Sequence, residues 1–228
     1  MELHPIADPI ELIQNVCSYI STLITVQQNI NVYMIRLWRR SVLTASEITA
    51  QIGLGQIVWP GELRGDGLLV RLGSPLQLLA DPGHIVDLAN QDSIDTLYIQ
   101  ALHGWDEYEL DPGQMALCAA KHPLRLGPTF AAGIASLSHL ARVGLATHVT
   151  SPLVMPGWDG HVTLELLNTG PARLRLHRDM PIARAVIWQM YGTTRPPIPH
   201  PHYGRPEQLG SRYAAEFGTQ LTVNSTRA

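Results

Sequence analysis

SLSHLARVGLATHVTSPLVMPGWDGHVTLELLN, residues 136–168, decides how this chain is read. Its last third alternates. His161, Thr163, Glu165 and Leu167 fall on one face of a strand, and Val162, Leu164 and Leu166 on the other. Glu165 is thus a single carboxylate in an otherwise greasy ribbon, and Arg142 is the single guanidinium of the stretch. A carboxylate withdrawn from water is costly unless it is paired or performs chemistry. Burial would raise its pKa toward the range of a general base. A rim carboxylate at a solvated sheet edge gives the same pattern, and periodicity does not separate the two. Upstream, Ser138–Arg142 reads as a short helical turn. Ser138 is placed to cap it and its free N–H groups to meet an anion; an ordinary surface turn is the plainer alternative.

Outward from this stretch, short apolar or alternating runs recur at Leu68–Leu72, Ile85–Leu88, Thr96–Gln100, Met115–Ala119, Leu174–Leu176 and Ile182–Ile187. Turns separate them, at Leu110-Asp-Pro-Gly113, Pro156-Gly157 and Asn168-Thr-Gly-Pro171. Many short strands at this spacing predict a mainly β barrel or sandwich. Thr44-Ala-Ser-Glu47 is a capping box, so a helix is expected from Ala45 to Ile52, ending at Gly53. Residues 1–40 form an N-terminal extension. Ile10, Ile13, Cys17, Ile20 and Ile24 sit at helical spacing among polar residues, which predicts an amphipathic helix, and Met34 offers an alternative start. Residues 41–192 are expected to be the β domain and 193–228 a proline-rich arm or lid.

Composition narrows the function. Of 228 residues, 45% are hydrophobic and 15% charged, enough apolar mass for a real core. The net charge of −3 and the absence of a basic run argue against nucleic-acid binding by bulk electrostatics. No stretch is apolar enough for a membrane span. Two cysteines, Cys17 and Cys118, make no disulfide framework and fit a cytoplasmic setting. The ten histidines lack paired metal-ligand spacing, and no H-x-E followed by P-C-x-x-C is present, so no zinc site is expected.

Three segments carry a resemblance: LARVGLATHVTS (140–151), MPGWDGHVTLELLNTG (155–170) and LHRDMPIARAVIWQM (176–190). In order and spacing they resemble the dCTP deaminase branch of the dUTPase-like superfamily. VLTASEITAQIGLG (42–55), LDPGQMALCA (110–119) and SRYAAEF (211–217) are similar to its opening helix, a strand after a proline-glycine turn and its terminal signature. The resemblance implies a distorted dUTPase-like β-barrel with short N-terminal helices, assembled as a homotrimer with sites at subunit interfaces. It implies hydrolytic deamination of dCTP to dUTP and ammonia, with no metal held by the protein and Mg²⁺ present only as the nucleotide's counter-ion.

By the same resemblance Glu165 is the general base and acid, and Arg142 lies beside the reacting centre. Ser138, His139, Leu140, Ala141 and Ser151 lie near the nucleotide, and Thr163 and Leu164 offer backbone contacts to the base. His202, Tyr203 and Gln208 come from the C-terminal arm. The chain also departs from the family pattern. Leu137 stands where the family has a basic residue, His139 where it has a second serine, and Met155 where it has an aspartate. Leucine supplies no charge-assisted phosphate contact; either other basic groups such as Arg205 or Arg212 replace it, or the substrate carries fewer phosphates, or the chain does not turn over. A dUTPase-type pyrophosphatase would need an acid near Val154-Met155, and a non-catalytic nucleotide-binding protein is the third reading.

Overall fold

The computed structural model describes residues 42–191 and 204–218. The expectations for residues 1–40, for the proline-rich stretch after Gly192, and for His202 and Tyr203 lie outside the described residues.

The first element is helix α1, Ala45–Gly53. Thr44 Oγ1 accepts the Glu47 N–H, and the Glu47 carboxylate accepts the Thr44 N–H at 3.0 Å, so the capping box closes as the sequence predicts. Ile48, fully buried, anchors the helix to the core.

Thirteen strands follow among the described residues. The main sheet runs β8 (Leu145–Ala146), β11 (Thr163–Asn168), β5 (Met115–Ala120), β2 (Leu68–Leu79), β13 (Pro181–Gln189), β7 (Phe130–Ser136) and β9 (Leu153–Val154). A further strand, β3 (Tyr98–Leu102), pairs with β2. All these pairings are antiparallel. The sheet curls into a half-barrel because β2 changes partners along its length. Its first residues pair with β13 and its last with β3 and β5, with an irregularity between Leu72 and Leu76. Gly73 permits the crossing, since a Cβ there would lie 2.7 Å from the Ala119 carbonyl oxygen. Two small sheets complete the domain. One joins β1 (Ile57–Val58), β6 (Leu124–Leu126) and β10 (Asp159–Gly160); the other joins β4 (Glu107–Leu110) and β12 (Leu174–His177).

β11 alternates as read. Leu164, Leu166 and Asn168 are buried, while Thr163, Glu165 and Leu167 are half-buried on the other face. β5 has no such alternation because both its faces are covered. Ala116, Cys118 and Ala120 join the main core, whereas Leu117 and Ala119 form a second small cluster with Leu209.

Three local expectations are corrected. Ile85–Leu88 is a loop, not a strand. Ile85 is 93% exposed, and side chains satisfy the loop backbone: Asp81 accepts Gly83 N–H and Ser93 accepts Asp87 N–H. The strand expected at Thr96–Gln100 begins two residues later, at Tyr98. Thr96 instead ends a short helix, α2 (Gln91–Asp95), whose N-cap is Asn90. Ser138 does not cap the turn it begins. Helix α3 spans Ser138–Ala141, its N-cap is Leu137, and no side chain bonds its free N–H groups.

Candidate active site

Glu165 sits in the middle of β11, registered opposite Leu117 of β5. Main-chain groups of the neighbouring segment hold it. Its N–H donates to the Thr147 carbonyl at 3.2 Å. Its Oε2 accepts the N–H of Val149 at 2.7 Å and of Thr150 at 3.4 Å. The cradle is itself fixed from behind, because Thr147 is fully buried, its hydroxyl lies 2.7 Å from that of Ser136, and its N–H donates to Ser136 Oγ at 3.2 Å. Two amides on one carboxylate oxygen set the orientation of the group.

This carboxylate lines a cleft of about 490 Å³. Ser151, Thr163 and Glu165 supply polar atoms; Met115, Leu117, Ile134, Leu153, Val154, Trp158 and Val162 supply apolar walls. Leu79 and Tyr98 add to the lining, and Leu209, Gly210 and Ser211 enter it from the C-terminal segment. An apolar cleft with a few convergent polar groups is the usual form of a small-molecule site.

Of the site residues expected from sequence, the single chain brings Ser151, Thr163 and Glu165 together. Leu164 points into the core, where it is 1% exposed. Ser138, His139 and Ala141 are exposed on α3, and Leu140 packs against the main core. Arg142 is the C-cap of α3 and exposed, and no ion pair joins it to Glu165 within the chain. Gln208 is half-buried, with a buried Oε1 that has no hydrogen-bond partner. Arg212 pairs with Asp95 at 3.5 Å, so that cation is engaged within the chain, whereas Arg205 is exposed. The sequence reading missed Tyr98, Met115, Leu117 and Trp158 as cleft residues. Their signal was present in the apolar side of β5 and in the Pro156-Gly157-Trp158 turn, but it reads as core.

Two neighbouring features are structural. Glu107, Glu109 and Asp111 of β4 and its turn face Arg173, just before β12, and Arg175 and His177 of β12 in an exposed ladder of ion pairs. Hydrogen bonds from Arg175 and then Arg173 hold the Glu109 carboxyl below its ordinary value. Burial pushes the Cys118 thiol up to about 12, which leaves it an inert core group. Among the described residues no group of three or more His, Cys, Asp or Glu side chains is arranged to hold a metal ion. No described helix is long and apolar enough to cross a membrane.

The sequence profile of a family described as dCTP deaminase-like matches residues 42–190, the whole span from the opening of the β domain to the end of β13. The chain belongs to the dCTP deaminase-like family. A Nocardioides protein named dCTP deaminase, dUMP-forming, is 30% identical over 183 residues, which are 78% of this chain and 92% of that one. A Rhodospirillum rubrum protein named dCTP deaminase is 34% identical over 136 residues, 56% of this chain and 69% of its own. The crystal structure of 2′-deoxycytidine 5′-triphosphate deaminase from Agrobacterium tumefaciens superposes with a TM-score of 0.51 at 16% identity. It covers 65% of this chain and 48% of its own length, a likeness of fold. Family membership agrees with the resemblance read from residues 140–190. Glu165 and most of its cleft lie within the matched span, and the Leu209–Ser211 wall lies outside it.

Proposed function

We propose that this chain is a hydrolytic deaminase of a cytosine deoxynucleotide, with dCTP as substrate and Glu165 as the proton-transferring group. The observation that carries the reading is the Glu165 carboxylate, held by two amide N–H groups at the wall of an apolar cleft. In that position Glu165 takes a proton from water as the oxygen adds to cytosine C4, and returns a proton to the departing ammonia. Water and cytosine are consumed, and uracil and ammonia are formed. No protein-held metal enters this scheme, and Mg²⁺ accompanies the nucleotide. The Thr163 and Leu164 backbone borders the base, and Ser151 lies at the same cleft.

Arg142 completes the reading through assembly. It is exposed and unpaired with Glu165 inside one chain, so in this proposal it acts on the cleft of a neighbouring subunit in a homotrimer, with Ser138 and His139 of the same helical turn beside the nucleotide. The setting is the cytoplasm, where a free thiol such as Cys118 stays reduced.

The test is ammonia release from dCTP. The Glu165→Gln variant, nearly isosteric, should keep the fold and lose activity by about a thousandfold. A folded protein that releases no ammonia from dCTP, dCMP or CTP ends this reading; nucleotide binding without turnover would make it a sensor. A second reading concerns the product. Because the Nocardioides relative is named dUMP-forming, deamination here would be followed by loss of pyrophosphate. Against it, Val154 is buried and Met155 stands where an activating acid would be needed. Chromatography of the products separates dUTP from dUMP plus pyrophosphate.

A further inference from the structure

Leu209, Gly210 and Ser211 form one wall of the Glu165 cleft, although they lie far along the chain from β11. Leu209 is 8% exposed, seated in the small cluster with Leu117 and Ala119, the outer-face residues of β5, and Leu117 is the registered neighbour of Glu165. Apolar contact alone lets a short segment slide, and the register here comes from two side chains outside the catalytic strands. The Tyr98 hydroxyl accepts the Ser211 N–H at 2.7 Å. The Gln91 amide bonds the same segment twice, Nε2 donating to the Ser211 carbonyl at 2.8 Å and Oε1 accepting the Ala215 N–H at 3.3 Å. Gly210 lies against the Tyr98 ring, where a Cβ would stand 3.0 Å from Cε2.

We propose that Gln91 and Tyr98 are positioning residues that lock Leu209–Ser211 into place as the cleft wall, and so set how tightly the cytosine nucleotide is held. Neither takes part in proton transfer. The proposal rests on the deaminase reading of the cleft. Its chemical specificity lies in the polarity of the Gln91 amide. Nε2 also donates to Asp95 Oδ1 at 2.9 Å, so a carboxylate in its place would face a carbonyl and a carboxylate with no proton to offer.

Two nearly isosteric variants test the lock, Gln91→Glu and Tyr98→Phe. Hydrogen exchange at the Ser211 and Ala215 amides reads the wall directly, and steady-state kinetics with dCTP reads its use. The expected result is faster exchange at Ser211 in both variants, with Ala215, whose N–H a carboxylate still accepts, the less affected amide in Gln91→Glu. With it, KM should rise about tenfold for Gln91→Glu and severalfold for Tyr98→Phe, with kcat held within about twofold. Faster exchange with an unchanged KM overturns the proposal and leaves the deaminase reading standing. Unchanged exchange in both variants also overturns it, since the wall is then held by something else. If the unaltered protein releases no ammonia, the deaminase reading fails first. The lock is then decided by calorimetric titration with dCTP, where the affinity of Gln91→Glu must fall about tenfold for it to survive and an unchanged affinity rejects it.

Discussion

Glu165 is oriented by main chain rather than by a charged partner, which makes its position depend on the shape of the Thr147–Thr150 segment. Ser136 therefore acts on the carboxylate at one remove. Ser136→Ala strips the buried Thr147 hydroxyl and N–H of their shared partner, and the expected cost is about 1–3 kcal/mol of stability. Asn168, fully buried at the end of β11, is more exacting. Its amide donates to the carbonyls of Leu110 and Ala172, and its Oδ1 accepts the Gly170 N–H. Asn168→Leu should destabilise by about 3 kcal/mol or more, because three backbone groups lose a partner at once; urea titration measures it. Cys118 gives a complementary readout. With its thiol pushed up to about 12 and its side chain buried, it should react with a disulfide reagent at neutral pH only as fast as the core opens.

At the scale of elements, the β4–β12 strand pair holds one carboxyl, Glu109, that titrates in a defined direction. The folded Glu109 pKa lies below its ordinary value of 4.5 because Arg175 and Arg173 bond the charged form. Glu109's contribution is therefore complete above that ordinary value and is lost as pH falls through the lower folded value. Glu109→Gln should lower Tm slightly at neutral pH and flatten its decline through the acid range, as thermal melts across pH would show. The elements also divide by how well they could be read. α1 was legible because Thr44 and Glu47 form a local cap, and β11 because one of its faces is core and the other is not. β12 was legible at Leu174–Leu176, whereas β4 was missed, since its charged residues meet their partners only across strands far apart in sequence. Ile85–Leu88 misled for the opposite reason. Apolar residues there resemble a strand, but no strand pairs with them and the local side-chain bonds define a loop. The cleft was half-legible: Thr163, Glu165 and Ser151 lie on one continuous stretch, while Tyr98 and Leu209–Ser211 reach it only through long-range packing.

The whole molecule leaves an asymmetry that a single chain does not resolve. The segment linking Arg142 to the cleft carries exposed apolar side chains, Val143 at 53%, Leu153 at 58% and Met155 at 63%. The guanidinium that the family resemblance assigns to the chemistry is exposed and makes no ion pair with its own Glu165. Both are accounted for if a neighbouring copy covers the apolar segment and receives Arg142 at its cleft. A ring of identical subunits has heterologous interfaces, so each site would combine Arg142 of one copy with Glu165 of the next. This predicts complementation between two dead proteins. Glu165→Gln and Arg142→Ala should each be inactive alone. Unfolded together and refolded as an equal mixture, they should regain about a quarter of the original activity, because one interface in four then pairs an intact Arg142 with an intact Glu165. Sedimentation should give three times the chain mass for all three preparations. Trimers without regained activity would place both groups in the same chain's site, and a monomer with full activity would remove the need for a neighbour altogether.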